Sequence, residues 1–227
     1  TTEIYPLSLH DALPICPGQH DYPRWHDRWI QLLSRAADRV QVEKAWEWPS
    51  AAQFETADVV VFYFWNHDWS PSRYEELDAF QHRGGGVALI HSAVIADQNP
   101  EALAERIGLS AQPGRTGYRH MPFTLRLEKR DHPITAGLPE TLSFLDEPYW
   151  PLVGDPTRVN VLGVGRVDGA DRPLVWTFER GRGRVFGTLL GHYFWTLDDP
   201  IFRLLVLRGI AWAGRSELDL LSPAVVP

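Results

Sequence analysis

The sequence is poor in cysteine, in positive charge and in long apolar runs, and each shortage removes a class of function. Cys16 is the single cysteine of 227 residues, which excludes an internal disulfide, a thiolate metal cluster and redox chemistry between paired thiols. A formal charge of −7 provides no basic face to neutralise a phosphate backbone, so nucleic acid is not an expected partner. No window approaches the ~20 consecutive apolar residues of a membrane helix, and no basic start followed by an apolar run marks a secretory signal. No membrane partner is expected, and a reducing, cytoplasmic location fits the cysteine usage. Spaced metal signatures such as H-E-x-x-H and C-x-x-C are missing too. The glycine cluster Gly84, Gly85, Gly86 precedes a strand pattern rather than a helix, which is the wrong setting for a phosphate-cradling loop, so no nucleotide cofactor is expected.

What is present reads as a globular α/β chain. Apolar residues make up 44% and charged residues 22%, both near the globular average, and 227 residues suffice for one domain with a sizeable core. Ten tryptophans exceed what such a core requires and can supply flat walls for a ligand. Residues 1–16 (TTEIYPLSLHDALPIC) resemble the translated sequencing adaptor found at the ends of some environmental gene assemblies. They are set apart as adaptor-derived and non-native, which leaves 17–227 as the single domain.

Hydrophobic periodicity orders the elements. Trp25, Trp29, Leu32, Leu33 and Ala36 share one helical face behind Asp21. Residues 57–64 (ADVVVFYF) form a continuous β-branched and aromatic run suited to a strand buried on both faces. Ser70-Pro71 opens a helix that Gly84 closes, and 87–91 (VALIH) is the next strand. Strand, helix and strand with short joints predict a parallel sheet covered on both faces. The middle is less regular, with a helix over 100–109 and a strand over 123–128. Three β-rich runs at 158–164, 173–178 and 184–190 then extend the sheet, and a last helix runs from Asp199-Pro200 to Gly214.

Ligands of open α/β sheets bind outside the carboxyl ends of strands, so the polar residues there are the candidates. They are His20 and Asp21 before the first helix, Trp65 to Trp69 (WNHDW) after a core strand, His91 after VALI, and His192 with Trp195 after the last strand. The irregular middle adds His120, Glu147 and Tyr149. Imidazoles and a carboxylate provide either acid/base groups near neutral pH or the N/O ligand set of a divalent metal, zinc-like or manganese-like. The residues assigned to catalysis are His20, His91, His120, Glu147 and His192. Those assigned to a metal are His20, His120, Glu147 and His192, and Asp21, Trp65, Trp69, Tyr149 and Trp195 are assigned to substrate. Each has a bland alternative: Asp21 serves equally as an N-cap, and strand-end histidines or aromatics equally satisfy neighbours or fill core.

HDYPRW (His20 to Trp25), WSP with its helix, GGG and strand-end histidine, HPITAGLP (His132 to Pro139), DEPYW (Asp146 to Trp150), and GRGRVFGTLLGH followed by WTLDDPIFRLLVLRGIAWA together resemble the ThuA-like, trehalose-utilisation family over residues 18–214. The resemblance implies a three-layer, flavodoxin-like (class I glutamine amidotransferase-like) fold with a mostly parallel sheet. It also implies a bacterial role in the metabolism of trehalose and related glycosides through 3-keto-sugars. Two departures stand out. The fold's first strand would precede Gly18, where Pro14 would interrupt a ladder, so that strand is expected to be missing or improvised. The amidotransferase elbow carries a nucleophilic cysteine, whereas this chain reads Ile90-His91-Ser92, which excludes thiol glutaminase chemistry. The expected function is a keto-sugar lyase, hydrolase or isomerase. The alternatives are a sugar-binding or regulatory module without turnover, and an esterase-type hydrolase built on Ser92. The expected partner is a small sugar, with a homo-oligomer left open.

Overall fold

The computed structural model describes residues 2–8 and 18–225. The amino-terminal half alternates β1 (Thr2–Ser8), α1 (Tyr22–Leu33), β2 (Val40–Val42), β3 (Ala45–Trp46), α2 (Ala51–Thr56), β4 (Val59–Phe62), α3 (Pro71–Arg83) and β5 (Gly86–Ile90). After α4 (Pro100–Ile107) come β6 (Gly117–Tyr118), β7 (Met121–Leu127), β8 (Thr141–Asp146), β9 (Tyr149–Trp150), β10 (Asn160–Val167), β11 (Ala170–Arg180) and β12 (Gly183–Thr188). Helices α5 (Phe194–Asp198) and α6 (Pro200–Ala213) follow.

One sheet of ten strands runs in the order β2-β1-β4-β5-β12-β11-β10-β7-β8, with β3 also paired to β1. From β2 to β12 the neighbours are parallel. From β12 outward they are antiparallel. The parallel half follows from its sequence: β4 and β5 are buried at every position, as strands covered on both faces must be. Side chains of opposite parity on β12 show the two layers. Phe186 packs on Gly209 of α6, whereas Gly183 lies against Gln81 of α3. Gly209 is required there, because a Cβ would sit 2.5 Å from the Phe186 ring. The antiparallel wing alternates instead, β7 burying Phe123, Leu125 and Leu127 and exposing the residues between.

Helix starts follow the cap residues. Asp21 and Asp199 accept backbone N–H groups at the starts of α1 and α6, and Ser50 forms a capping box with Gln53 at α2. Gly84 ends α3 in the left-handed region at φ 111°.

The first strand departs from expectation. Residues 2–8, inside the adaptor-like stretch, form a strand held between β2 and β4, so the ladder is completed by that segment. Pro14 and Cys16 lie outside the described residues. Further elements escaped the sequence pattern, among them α2 and the edge strand β8. No described helix is long and apolar enough to cross a membrane.

Candidate functional site

Four chain segments meet at the carboxyl ends of β5 and β12. His91 is the first residue after β5 and takes a left-handed conformation, φ 53°, at the strand-to-helix elbow. A side chain other than glycine is held there only by its surroundings, and the tie is visible: Nδ1–H of His91 donates to the carbonyl of Leu189 at 2.7 Å. That bond settles the tautomer and turns the Nε2 lone pair inward. The turn after β12 uses Gly191 at φ 121°, where glycine meets no steric penalty, and delivers His192. The loop before α1 pairs with the same segment, His20 N–H donating to the carbonyl of residue 192 at 3.2 Å. Its His20 is likewise left-handed, φ 47°. Glu147 enters from the end of β8.

The three imidazoles present a tight triangle. Nε2 of His91 lies 2.9 Å from Nε2 of His20 and 3.2 Å from Nδ1 of His192, and the third side measures 3.0 Å. Glu147 completes the group, its Oε2 3.1 Å from His192 Nδ1 and 3.4 Å from His91 Nε2. All four ligand atoms fall within 4.8 Å of one another. Nitrogen lone pairs so close repel unless a cation sits between them. A proton is disfavoured: burial and the neighbouring His91 and His192 hold His20 down at about 3, and burial lowers His192 as well. Burial pushes the Glu147 carboxyl up, but the closeness of His192 and His91 outweighs that and holds it well below the usual range. Three imidazoles and one carboxylate are the donor set of a divalent metal. Tetrahedral bonds of about 2.0–2.1 Å place nitrogens about 3.3 Å apart, within a few tenths of an ångström of this triangle, so the residues fit the ion.

His91 joins this quartet, and His120 stands outside it. His120 meets the other carboxylate oxygen, Nε2 lying 3.1 Å from Oε1 of Glu147, while its Nδ1 is 2.7 Å from the hydroxyl of Tyr193. It is 42% exposed, against 0% and 4% for His91 and His192, so it is the imidazole that meets solvent. A cavity of about 440 Å³ opens above the quartet, lined by His20, His120, Glu147, His192, Trp65, Tyr149 and Tyr118 among others. Its size is that of small-molecule sites. Tyr149 lies at its base with the hydroxyl 2.9 Å from His91 Nε2. Burial and the nearby Glu147 raise that phenol well above its ordinary range, so it keeps its proton.

The remaining candidates divide. Trp65 lines the cavity and donates to Asp97. Asp21 caps α1. Trp69 donates to the Ile95 carbonyl and stacks on Tyr74, and Trp195 is half exposed, stacked on Tyr193. None of these three lines the cavity. Ser92 is fully buried against the Tyr22 hydroxyl at 2.7 Å.

Tyr193 and Asp146 were missed, although both adjoin chosen residues. Asp146, fully buried, accepts N–H groups from Gly191, His192 and Glu147. The signal for it was an acidic pair, Asp146-Glu147, in an irregular segment, of which only the second member was assigned a role.

Known proteins share this fold. A thua-like protein of Parabacteroides merdae superposes with a TM-score of 0.73 at 23% identity, covering 94% of this chain and 89% of its own. A thua-like protein of Bacteroides uniformis gives 0.73 at 14%, covering 96% and 95%. A β-galactosidase of Rahnella sp. R3 gives 0.66 at 13%, covering 96% of this chain and 32% of the larger enzyme. No curated protein matches the sequence. The family model described as ThuA, trehalose utilisation, matches residues 19–213, and the chain belongs to that family.

Proposed function

We propose that the protein is an enzyme of sugar metabolism that acts on a keto-sugar or glycoside with one divalent metal held by His20, His91, His192 and Glu147. The observation that carries this is the convergence of three imidazole nitrogens, 2.9–3.2 Å apart, beside a buried carboxylate under an open cavity. The trehalose-utilisation family supports the substrate class. A bound divalent cation supplies a Lewis acid that polarises a carbonyl or hydroxyl oxygen.

The chain's own groups do the rest. His120 moves the proton: with Glu147 on Nε2 and Tyr193 on Nδ1, a proton arriving at one ring nitrogen leaves from the other. Removal of a proton beside a sugar carbonyl is the step such an imidazole suits, because the carbonyl acidifies the adjacent C–H bond. Tyr149, protonated and buried, has its hydroxyl 2.9 Å from His91 Nε2, and with that nitrogen on a metal ion the hydroxyl would be free to donate to a sugar oxygen. Trp65 and Tyr149 offer flat faces to a sugar ring.

Elemental analysis and a 3-keto-trehalose assay test the proposal together. The expected result is one tightly held metal per chain, product formation lost on chelation and restored by metal, and a loss of about 10²- to 10⁴-fold in kcat for His120→Gln with metal content unchanged. Sugar binding without product under any metal would leave a binding module instead.

A further inference from the structure

Three of the four proposed ligands hang from one buried carboxylate. Asp146 is fully buried and spreads its two oxygens over three backbone donors: Oδ2 accepts from Gly191 at 3.1 Å, and Oδ1 accepts from His192 at 3.1 Å and from Glu147 at 2.7 Å. It therefore fixes the peptide that carries His192 and the peptide that carries Glu147 with the same atom. The carbonyl of residue 192 in turn receives the N–H of His20, so the third ligand is set from the second. Tyr63 grips the turn from the opposite side, its hydroxyl donating to the Gly191 carbonyl at 2.7 Å. Only His91 is held independently, through Leu189.

We infer that Asp146 is the positioning residue of the centre: its paired carboxylate oxygens hold the end of β8 and the turn after β12 at the separation that brings Glu147, His192 and His20 together. A carboxylate suits this and an amide does not. Both oxygens of Asp146 accept, whereas an asparagine of the same shape offers one acceptor and turns an N–H₂ towards a backbone N–H. One clamp bond is then lost and a donor faces a donor. The inference rests on the proposed metal site for its functional meaning but not for its geometry, and the two are tested apart.

The experiment uses Asp146→Asn and Tyr63→Phe in the full-length protein, each checked for folding by circular dichroism. Metal-free protein with ¹⁵N-labelled histidine is measured first. The ring resonances of His192 and His20 are expected to shift in D146N while that of His91 Nδ1, tied to the Leu189 carbonyl, holds. Zinc titration follows, and the expected loss of affinity is about 10- to 100-fold in D146N and a smaller one in Y63F. A destabilised D146N whose His192 and His20 resonances match the wild type would overturn the inference, because a residue that only stabilises the fold leaves the rings in place. If D146N does not fold, Asp146→Glu carries the test, keeping both acceptor oxygens on a longer arm: shifted His192 and His20 resonances support the clamp, and unchanged ones overturn it. A wild type that takes up no zinc removes the metal site, and the histidine spectra still decide on Asp146.

Discussion

His20 and His91 occupy left-handed backbone, at φ 47° and 53°, in two loops 71 positions apart. Strained residues are tolerated where the surroundings over-determine them, and here the strain points two imidazoles at one spot. The pH response follows from the burial of His20. His20 is held at about 3 in the fold but titrates near 6.5 when unfolded. Between those values the unfolded chain binds more protons, so stability rises with pH there and is lost as pH falls below 6.5. Urea midpoints of metal-free protein from pH 8 to pH 4 should show this decline, at up to about 1.4 kcal/mol per pH unit for each such proton. His20→Asn should flatten it, since asparagine accepts positive φ and does not titrate. A decline unchanged in that variant would assign the acid sensitivity elsewhere.

Single residues of the site were legible because imidazoles at strand ends are conspicuous and the sheet rule gives them one address. His192, His91 and His20 could be nominated that way. Which imidazoles bind one another could not, because the choice between His91 and His120 depends on the path of a loop that has no periodicity.

At the scale of elements, the parallel half was readable and the wing only partly so. β4 and β5 announce themselves as unbroken apolar runs, and α3 is bracketed by Ser70-Pro71 and Gly84. β8, a sheet-edge strand, buries only Phe144 and Asp146 outright along its length, so its pattern is faint. Yet β8 supplies both Asp146 and the approach to Glu147. Helix packing is testable at Gly209, midway along α6. Replacing it by alanine gains about 1 kcal/mol of helix propensity. The new Cβ, however, would lie 2.5 Å from the face of the fully buried Phe186 ring, and overpacking costs about 1–3 kcal/mol. The second effect wins, so Gly209→Ala should lower the thermal midpoint; a higher midpoint would show that the sheet yields to the helix at this contact.

For the whole molecule, the adaptor-like stretch shows why a sequence-level exclusion can miss structure. Residues 2–8 were set aside on their resemblance, but β2 and β4 leave a gap between them, and whatever segment can pair both edges completes the sheet. Ligand linkage acts at the same scale. If zinc binds the folded chain and not the unfolded one, free metal at 100 times its dissociation constant adds about 2.7 kcal/mol of stability. Thermal scans with zinc and with chelator should then differ by several degrees in the wild type and not at all in Glu147→Gln/His91→Ala. An equal shift in that double variant would place the ion away from this cluster.

His20 and His192 approach to 3.0 Å across 172 positions of sequence, and the anchors of His91, His20 and His192 all pass through residues 189–192. The pieces are therefore made at widely separated moments of synthesis and have no address until the final strand is laid down. A chain still emerging from the ribosome carries histidines but no cage, and under the proposed metal site capture of an ion would mark the completion of folding rather than its beginning.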